Sequence, residues 1–138
     1  MGRRVTAAKI LIVTESPQIA SIVTSKLERE GMEVFWKRDG RQCLDSLRGQ
    51  RTELVILESI LPDRSGYEVL REIRSSPELG PVPAFVLLDV MQDKTEQDFL
   101  RAGASAVFVK PFRPTNLSKQ IKKALRSNHV QAYLRSSR

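Results

Sequence analysis

The chain has 138 residues, a net charge of +7, 41% hydrophobic and 28% charged residues, which is the size of one domain with enough apolar residues for a core. A single cysteine and a single histidine exclude a disulfide framework and a zinc cluster, and no apolar run approaches the ~20 residues of a membrane span. The expected setting is cytoplasmic, and a basic balance points to an acidic protein, an acidic membrane surface or nucleic acid as the partner.

Residues 1–8 read as a flexible basic lead. Lys9-Ile10-Leu11-Ile12-Val13-Thr14 is an uninterrupted apolar run of the kind that forms a strand buried on both faces. Ser16 is suited to cap a helix and Pro17 to open one; Ile19, Ile22, Val23 and Leu27 keep the helical period until Gly31 stops it. Glu33-Val34-Phe35-Trp36-Lys37 is the most polar strand and belongs at a sheet edge, with Trp36 expected to bury against the neighbouring helix. A short helix over 40–48 carries Cys43, expected to be buried and inert.

Leu54-Val55-Ile56-Leu57 runs straight into Glu58, and Pro62, Ser65 and Gly66 punctuate the turn before a helix over 65–74. Pro77, Gly80, Pro81 and Pro83 mark a loop. Ala84-Phe85-Val86-Leu87-Leu88 is the fourth strand, a helix spans 96–102, and Ala106-Val107-Phe108-Val109 is the fifth strand. Pro114 or Thr115 opens the last helix, which carries Ile121, Ala124 and Leu125. Residues 128–138 read as a basic tail or the start of a linker, which leaves 9–127 as the domain.

Strands alternating with helices at this spacing build right-handed crossovers and a parallel sheet. The fold class is α/β: a doubly wound, three-layer sandwich around five parallel strands. Periodicity alone leaves the strand order open. In such sheets ligands gather at the carboxyl ends of the central strands. Those ends carry Thr14 and Glu15, then Glu58, then Leu88 and Asp89, then Lys110.

That set, together with Leu61-Pro62, Ser65-Gly66, Ala102-Gly103-Ala104 and Lys110-Pro111-Phe112, resembles the receiver domain of bacterial response regulators in two-component signalling. The resemblance covers about residues 9–127 and implies the flavodoxin-like strand order 2-1-3-4-5. In the family a histidine kinase donates a phosphoryl group to an aspartate after the third strand. An acidic pair after the first strand helps hold magnesium, while a hydroxyl after the fourth strand and a lysine after the fifth contact the phosphoryl oxygens. The chemistry is positioning and charge neutralisation.

This chain departs from that pattern at nearly every position. Glu58 stands at the acceptor position, Thr14 replaces one member of the acidic pair beside Glu15, Leu88 stands at the hydroxyl position, and Val107 replaces the aromatic switch; Lys110 is retained. Glutamate is one methylene longer than aspartate, and a displacement of ~1 Å can cost about 100-fold in rate. Magnesium seeks octahedral hard-oxygen ligands, and only Glu15, Glu58 and, by family analogy, the Ile60 carbonyl remain as weak candidates. The expectation is a degenerate pseudo-receiver without magnesium or another cofactor, not an enzyme, in which Glu58 is a partly exposed carboxylate bonded to nearby amides or, as the alternative, reaches toward Lys110.

By the same resemblance the partner surface is the fourth helix, fifth strand and fifth helix. There Phe108, whose plain alternative is core packing, and Lys119, Lys122 and Lys123, whose plain alternative is a solvated helix face, are the candidate contacts, toward an acidic signalling partner or a second copy of the chain. The alternatives are a phosphorylatable regulator served by a histidine kinase, and a basic module contacting nucleic acid. Asp89 is expected to serve chiefly as a cap or turn residue. A flavin loop is disfavoured at Thr14-Glu15-Ser16-Pro17, which has no glycine and a carboxylate that would repel phosphate.

Overall fold

The computed structural model describes residues 7–136, with side chains through residue 128; most of the expected basic lead, residues 1–6, lies outside the described residues. Five strands and five helices alternate: β1 (Lys9–Val13), α1 (Pro17–Arg29), β2 (Glu33–Lys37), α2 (Gly40–Gly49), β3 (Leu54–Glu58), α3 (Gly66–Ser75), β4 (Ala84–Leu88), α4 (Glu96–Arg101), β5 (Ala106–Val109) and α5 (Pro114–Ser136). All strand pairs are parallel and the sheet order is β2-β1-β3-β4-β5. The expected order and the edge position of the second strand are both present.

Strand alternation divides the core between the two faces of the sheet. Leu11, Val13, Val55, Leu57, Val86 and Leu88 meet α2, α3 and α4 through Cys43, Leu44, Leu70, Ile73 and Phe99. Ile10, Ile12, Leu54, Ile56, Leu87 and Phe108 meet α1 and α5 through Val23, Leu27, Leu117, Ile121 and Leu125. Burial raises the Cys43 thiol to about 12, which keeps it protonated and unreactive.

Two helix starts follow their sequence signals. The Ser16 hydroxyl accepts from the Ile19 N–H at 3.2 Å with Pro17 in the first turn, and Thr95 with Asp98 forms a reciprocal capping box at α4. The start of α2 uses a distant residue as well. Asp63, in the β3–α3 turn, accepts from the Gly40 and Arg41 N–H groups at 2.8 and 3.0 Å, so the turn beyond Glu58 is tied to a neighbouring helix. Arg74 knits two connections at the far end of the sheet by donating to the carbonyls of Gly103 in the α4–β5 loop and of Gly80 and Val82 in the α3–β4 loop.

Three expectations need correction here. The last helix continues through Ser136, so residues 128–136 are helical; no glycine or proline follows Pro114, and nothing local stops the helix. Trp36 is 36% exposed, because its indole N–H turns to the Thr14 carbonyl at 2.8 Å and Arg38 lies over the ring at 4.4 Å. Phe108 is packed in the α1/α5 core against Phe85, which removes it from the exposed partner surface.

Lys122 is likewise engaged within the domain, in an ion pair with Glu30 at the end of α1. Lys26 joins the same carboxylate at 2.9 Å. Hydrogen bonds from Lys122 first and Lys26 second hold the Glu30 carboxyl down to about 2, against an ordinary 4.5. The native state therefore binds this proton less well than the unfolded chain. The stabilisation is complete above pH 4.5 and fades as pH falls toward 2. In thermal melts the gap between the protein and a Glu30→Gln variant is expected to close over that window; a gap that does not change across it would exclude the contact.

Candidate functional site

The three side chains at the centre of the site extend the strand alternation beyond the strand ends. Ile10, Ile12 and Thr14 share one parity, as do Leu54, Ile56 and Glu58, and Phe108 and Lys110. The same alternation that packs α1 and α5 onto the sheet thus brings Thr14, Glu58 and Lys110 to one corner of its carboxyl edge.

Glu58 is 5% exposed. One carboxylate oxygen, Oε2, accepts from the Thr14 hydroxyl at 2.6 Å, and the other, Oε1, pairs with the Lys110 ammonium. Thr14 is itself fully satisfied: its Oγ1 accepts from the Ser16 N–H at 3.0 Å and its carbonyl accepts from Trp36. The ammonium of Lys110 also lies 3.9 Å from Asp89 Oδ2. A buried carboxylate paired with a cation and a hydroxyl meets the general requirement for burying charge.

An open cavity of about 300 Å³ sits over this group, lined by Glu15, Ser16, Gln18, Glu58, Ile60, Asp89 and Lys110. Glu15 stands exposed at its rim. Leu88 is not part of the lining: its side chain points to the opposite face of the sheet, into the α2/α3 core. The residue at the expected hydroxyl position therefore leaves that corner, and Asp89 stands beside Lys110 instead. Asp89 also serves as the expected turn residue, its Oδ1 accepting from the Met91 N–H at 2.9 Å. Val107 is half-buried against the α2/α3 core.

Ser59 is a supporting residue that residue-type reasoning overlooked. It is buried, its hydroxyl accepts from the Asp89 N–H at 2.9 Å, and its N–H donates to the Leu87 carbonyl at 2.9 Å. Its carbonyl accepts from the Gly66 N–H at 2.8 Å. One residue thus ties the β3 exit to both neighbouring loops. The signal available in the sequence was a hydroxyl residue immediately following a fully buried strand.

The profile of the response regulator receiver domain matches residues 10–122. The chain belongs to the response regulator receiver domain family. Among curated relatives, the receiver is 34% identical over 113 residues to the autoinducer 2 sensor kinase/phosphatase LuxQ of Vibrio vulnificus, covering 82% of this chain and 13% of that protein. It is 29% identical over 124 residues to the alkaline phosphatase synthesis transcriptional regulatory protein PhoP of Bacillus subtilis, covering 90% of this chain and 51% of that protein. The chain therefore spans from about an eighth to about half of the length of these relatives.

Two solved structures place the receiver fold beyond its sequence. A chemotaxis response regulator of Vibrio cholerae superposes with a TM-score of 0.77 at 28% identity, over 86% of this chain and 99% of that one. The receiver domain of a sensor histidine kinase from Pseudomonas aeruginosa, which carries a magnesium ion in its active-site cleft, superposes with a TM-score of 0.78 at 26% identity, over 87% and 98%. Among the described residues no helix is long and apolar enough to cross a membrane.

Proposed function

We propose that this receiver works in signal transduction through protein–protein contact, without an aspartyl-phosphate cycle, and that Glu58 is a fixed carboxylate where the family's phosphoacceptor stands. The observation that carries this reading is the engagement of Glu58: one oxygen is taken by Thr14 and the other by Lys110. An attacking carboxylate must have an oxygen available to an incoming phosphoryl group and a cation ready to neutralise it. Here the lysine already neutralises Glu58 itself.

A magnesium ion does not suit this donor set. Of the weak candidates Glu15 and Glu58, the first is exposed at the rim and the second is occupied by an ammonium and a hydroxyl. The hydroxyl of Thr14 also donates toward Glu58 where the family's second carboxylate would stand. A hard divalent cation seeks negative, hard oxygens, and Thr14 offers a neutral hydroxyl there instead of a carboxylate.

The partner surface on this reading is α4, β5 and α5. It exposes Leu100 and Val109 and carries Lys119 and Lys123, both exposed, a combination of apolar and basic groups suited to an acidic signalling partner. The competing reading is a phosphorylatable regulator that receives its phosphoryl group from a histidine kinase. Incubation with a small-molecule phosphodonor and magnesium, followed by intact-mass and peptide mass spectrometry, separates the two. No stoichiometric gain is expected; a gain of one phosphoryl group on Glu58 would overturn the proposal.

A further inference from the structure

The open edge of the sheet at β2 has a feature separate from the carboxyl-end site. Within the parallel ladder to β1, the Glu33 N–H donates to the Ala8 carbonyl at 2.8 Å and the Lys37 carbonyl accepts from the Thr14 N–H at 3.0 Å. Residues of a parallel strand alternate in which neighbour their backbone groups face. Glu33, Phe35 and Lys37 therefore bond inward to β1, while the N–H and C=O groups of Val34 and Trp36 point outward, where the sheet has no further strand among the described residues.

Sheet edges are ordinarily guarded by charged side chains, a proline or a bulge. The strand has no proline and no bulge, its register with β1 being unbroken from Glu33 to Lys37, and its two charges sit at opposite ends with opposite sign, so they can pair with a second copy instead of repelling it. Against an antiparallel copy of itself, Glu-Val-Phe-Trp-Lys reads as its own complement. With a two-fold axis at Phe35, Glu33 faces Lys37 of the second copy, Val34 faces Trp36, and Phe35 faces Phe35.

We propose that β2 is a self-association edge, and that a second copy of this chain adds to it antiparallel about Phe35 to give one continuous ten-stranded sheet. The backbone parity fits. Val34 and Trp36, which point outward, become the hydrogen-bonded pairs, and the Glu33–Lys37 and Phe35–Phe35 pairs fall at the closer, non-hydrogen-bonded sites. Moving the axis to Val34 or Trp36 sets Lys37 opposite Gly31 or Phe35 and loses the charge match, so charge selects the register. The interface is isologous, as closed two-fold symmetry requires.

The surroundings leave room. A groove of about 640 Å³ runs between β2 and α2, lined by Phe35, Trp36, Lys37, Asp45, Ser46 and Gly49 among others. The Trp36 indole, bonded to the Thr14 carbonyl, leans toward β1 and away from an approaching backbone. This surface is distinct from α4, β5 and α5, so the inference stands independently of the proposed signalling mechanism.

Sedimentation velocity of the full chain across a concentration series tests it. Glu33 and Lys37 are both exposed, so reversing either charge leaves the core untouched. The chain is expected to dimerise. Glu33→Lys and Lys37→Glu should each weaken the dimer by about tenfold or more, because each change spoils two symmetry-related pairs. The double variant Glu33→Lys/Lys37→Glu should restore it. Trp36 is the lone tryptophan, and its emission should move to shorter wavelength as the dimer forms. A chain that stays monomeric throughout, a dimer indifferent to both single reversals, or one dispersed instead by Lys119→Glu would overturn the proposal.

Discussion

A Gly66→Ala substitution is expected to cost about 3 kcal/mol or more, at the upper end of overpacking effects. The reason is contact, not backbone conformation, since the positive-φ glycines are Gly31 and Gly103. A Cβ on Gly66 would lie 2.1 Å from the Glu58 carbonyl oxygen and 2.9 Å from the Ser59 Cα. Both are backbone atoms, and side-chain rotation cannot relieve the clash. The strand end would have to move, against the Ser59–Leu87 hydrogen bond, the Gly66–Ser59 hydrogen bond and the Ile60–Ser65 bridge. Gly49 supplies the control: a Cβ there meets nothing within 4 Å, and at the last position of α2 alanine should stabilise by about 0.5–1 kcal/mol. Urea unfolding of the two variants beside the parent checks both signs. A Gly66→Ala protein within about 1 kcal/mol of the parent, on the scale of an ordinary point mutation, would show that the β3 exit is looser than these distances state.

The turn that Gly66 closes also shows what a linear sequence discloses and what it hides. Local signals carried the elements. Buried-type apolar runs located β1, β3 and β4; polar character located β2 at the edge; Ser16 and Pro17 opened α1 where their chemistry predicts. Parity and strand polarity put Thr14, Glu58 and Lys110 at the carboxyl edge on one face, while the strand order that gathers them at one corner came from the resemblance to the receiver family. What stayed hidden depended on partners distant in sequence. Trp36 is exposed because a carbonyl 22 residues away accepts its N–H, and Asp63 caps a helix 23 residues before it. The side of the sheet to which Phe108 and Leu88 point follows from strand register: Phe108 turns to α1 and α5, and Leu88 turns away from the cavity. The length of α5 is a different case. The absence of breakers after Pro114 was legible, but few apolar residues beyond 127 favoured a linker reading, and apolar content governs burial more than it governs helix continuation.

The largest effect at the site itself should come from Lys110→Met, and it should exceed that of the reciprocal change. Removing one partner of a buried ion pair typically costs about 3–5 kcal/mol. Discounted for a lysine side chain that is 25% exposed, the expected loss for Lys110→Met is about 2–3 kcal/mol. Glu58, whose side chain is 6% exposed, cannot escape to water, and the Thr14 hydroxyl alone must then answer a full charge. Glu58→Met leaves the opposite orphan. Its ammonium has Asp89 at 3.9 Å, an open cavity above it and a flexible stem, so it can be resolvated at an expected cost of about 1 kcal/mol beyond the packing change. The double variant Glu58→Met/Lys110→Met removes both charges from a site lined on one side by the apolar core, and should be more stable than Lys110→Met alone. The coupling in that cycle, read from urea midpoints at unchanged slope, measures how firmly Lys110 holds Glu58. Equal single losses that simply add would mean the two groups are solvated separately, and with that the carboxylate would be available to chemistry after all.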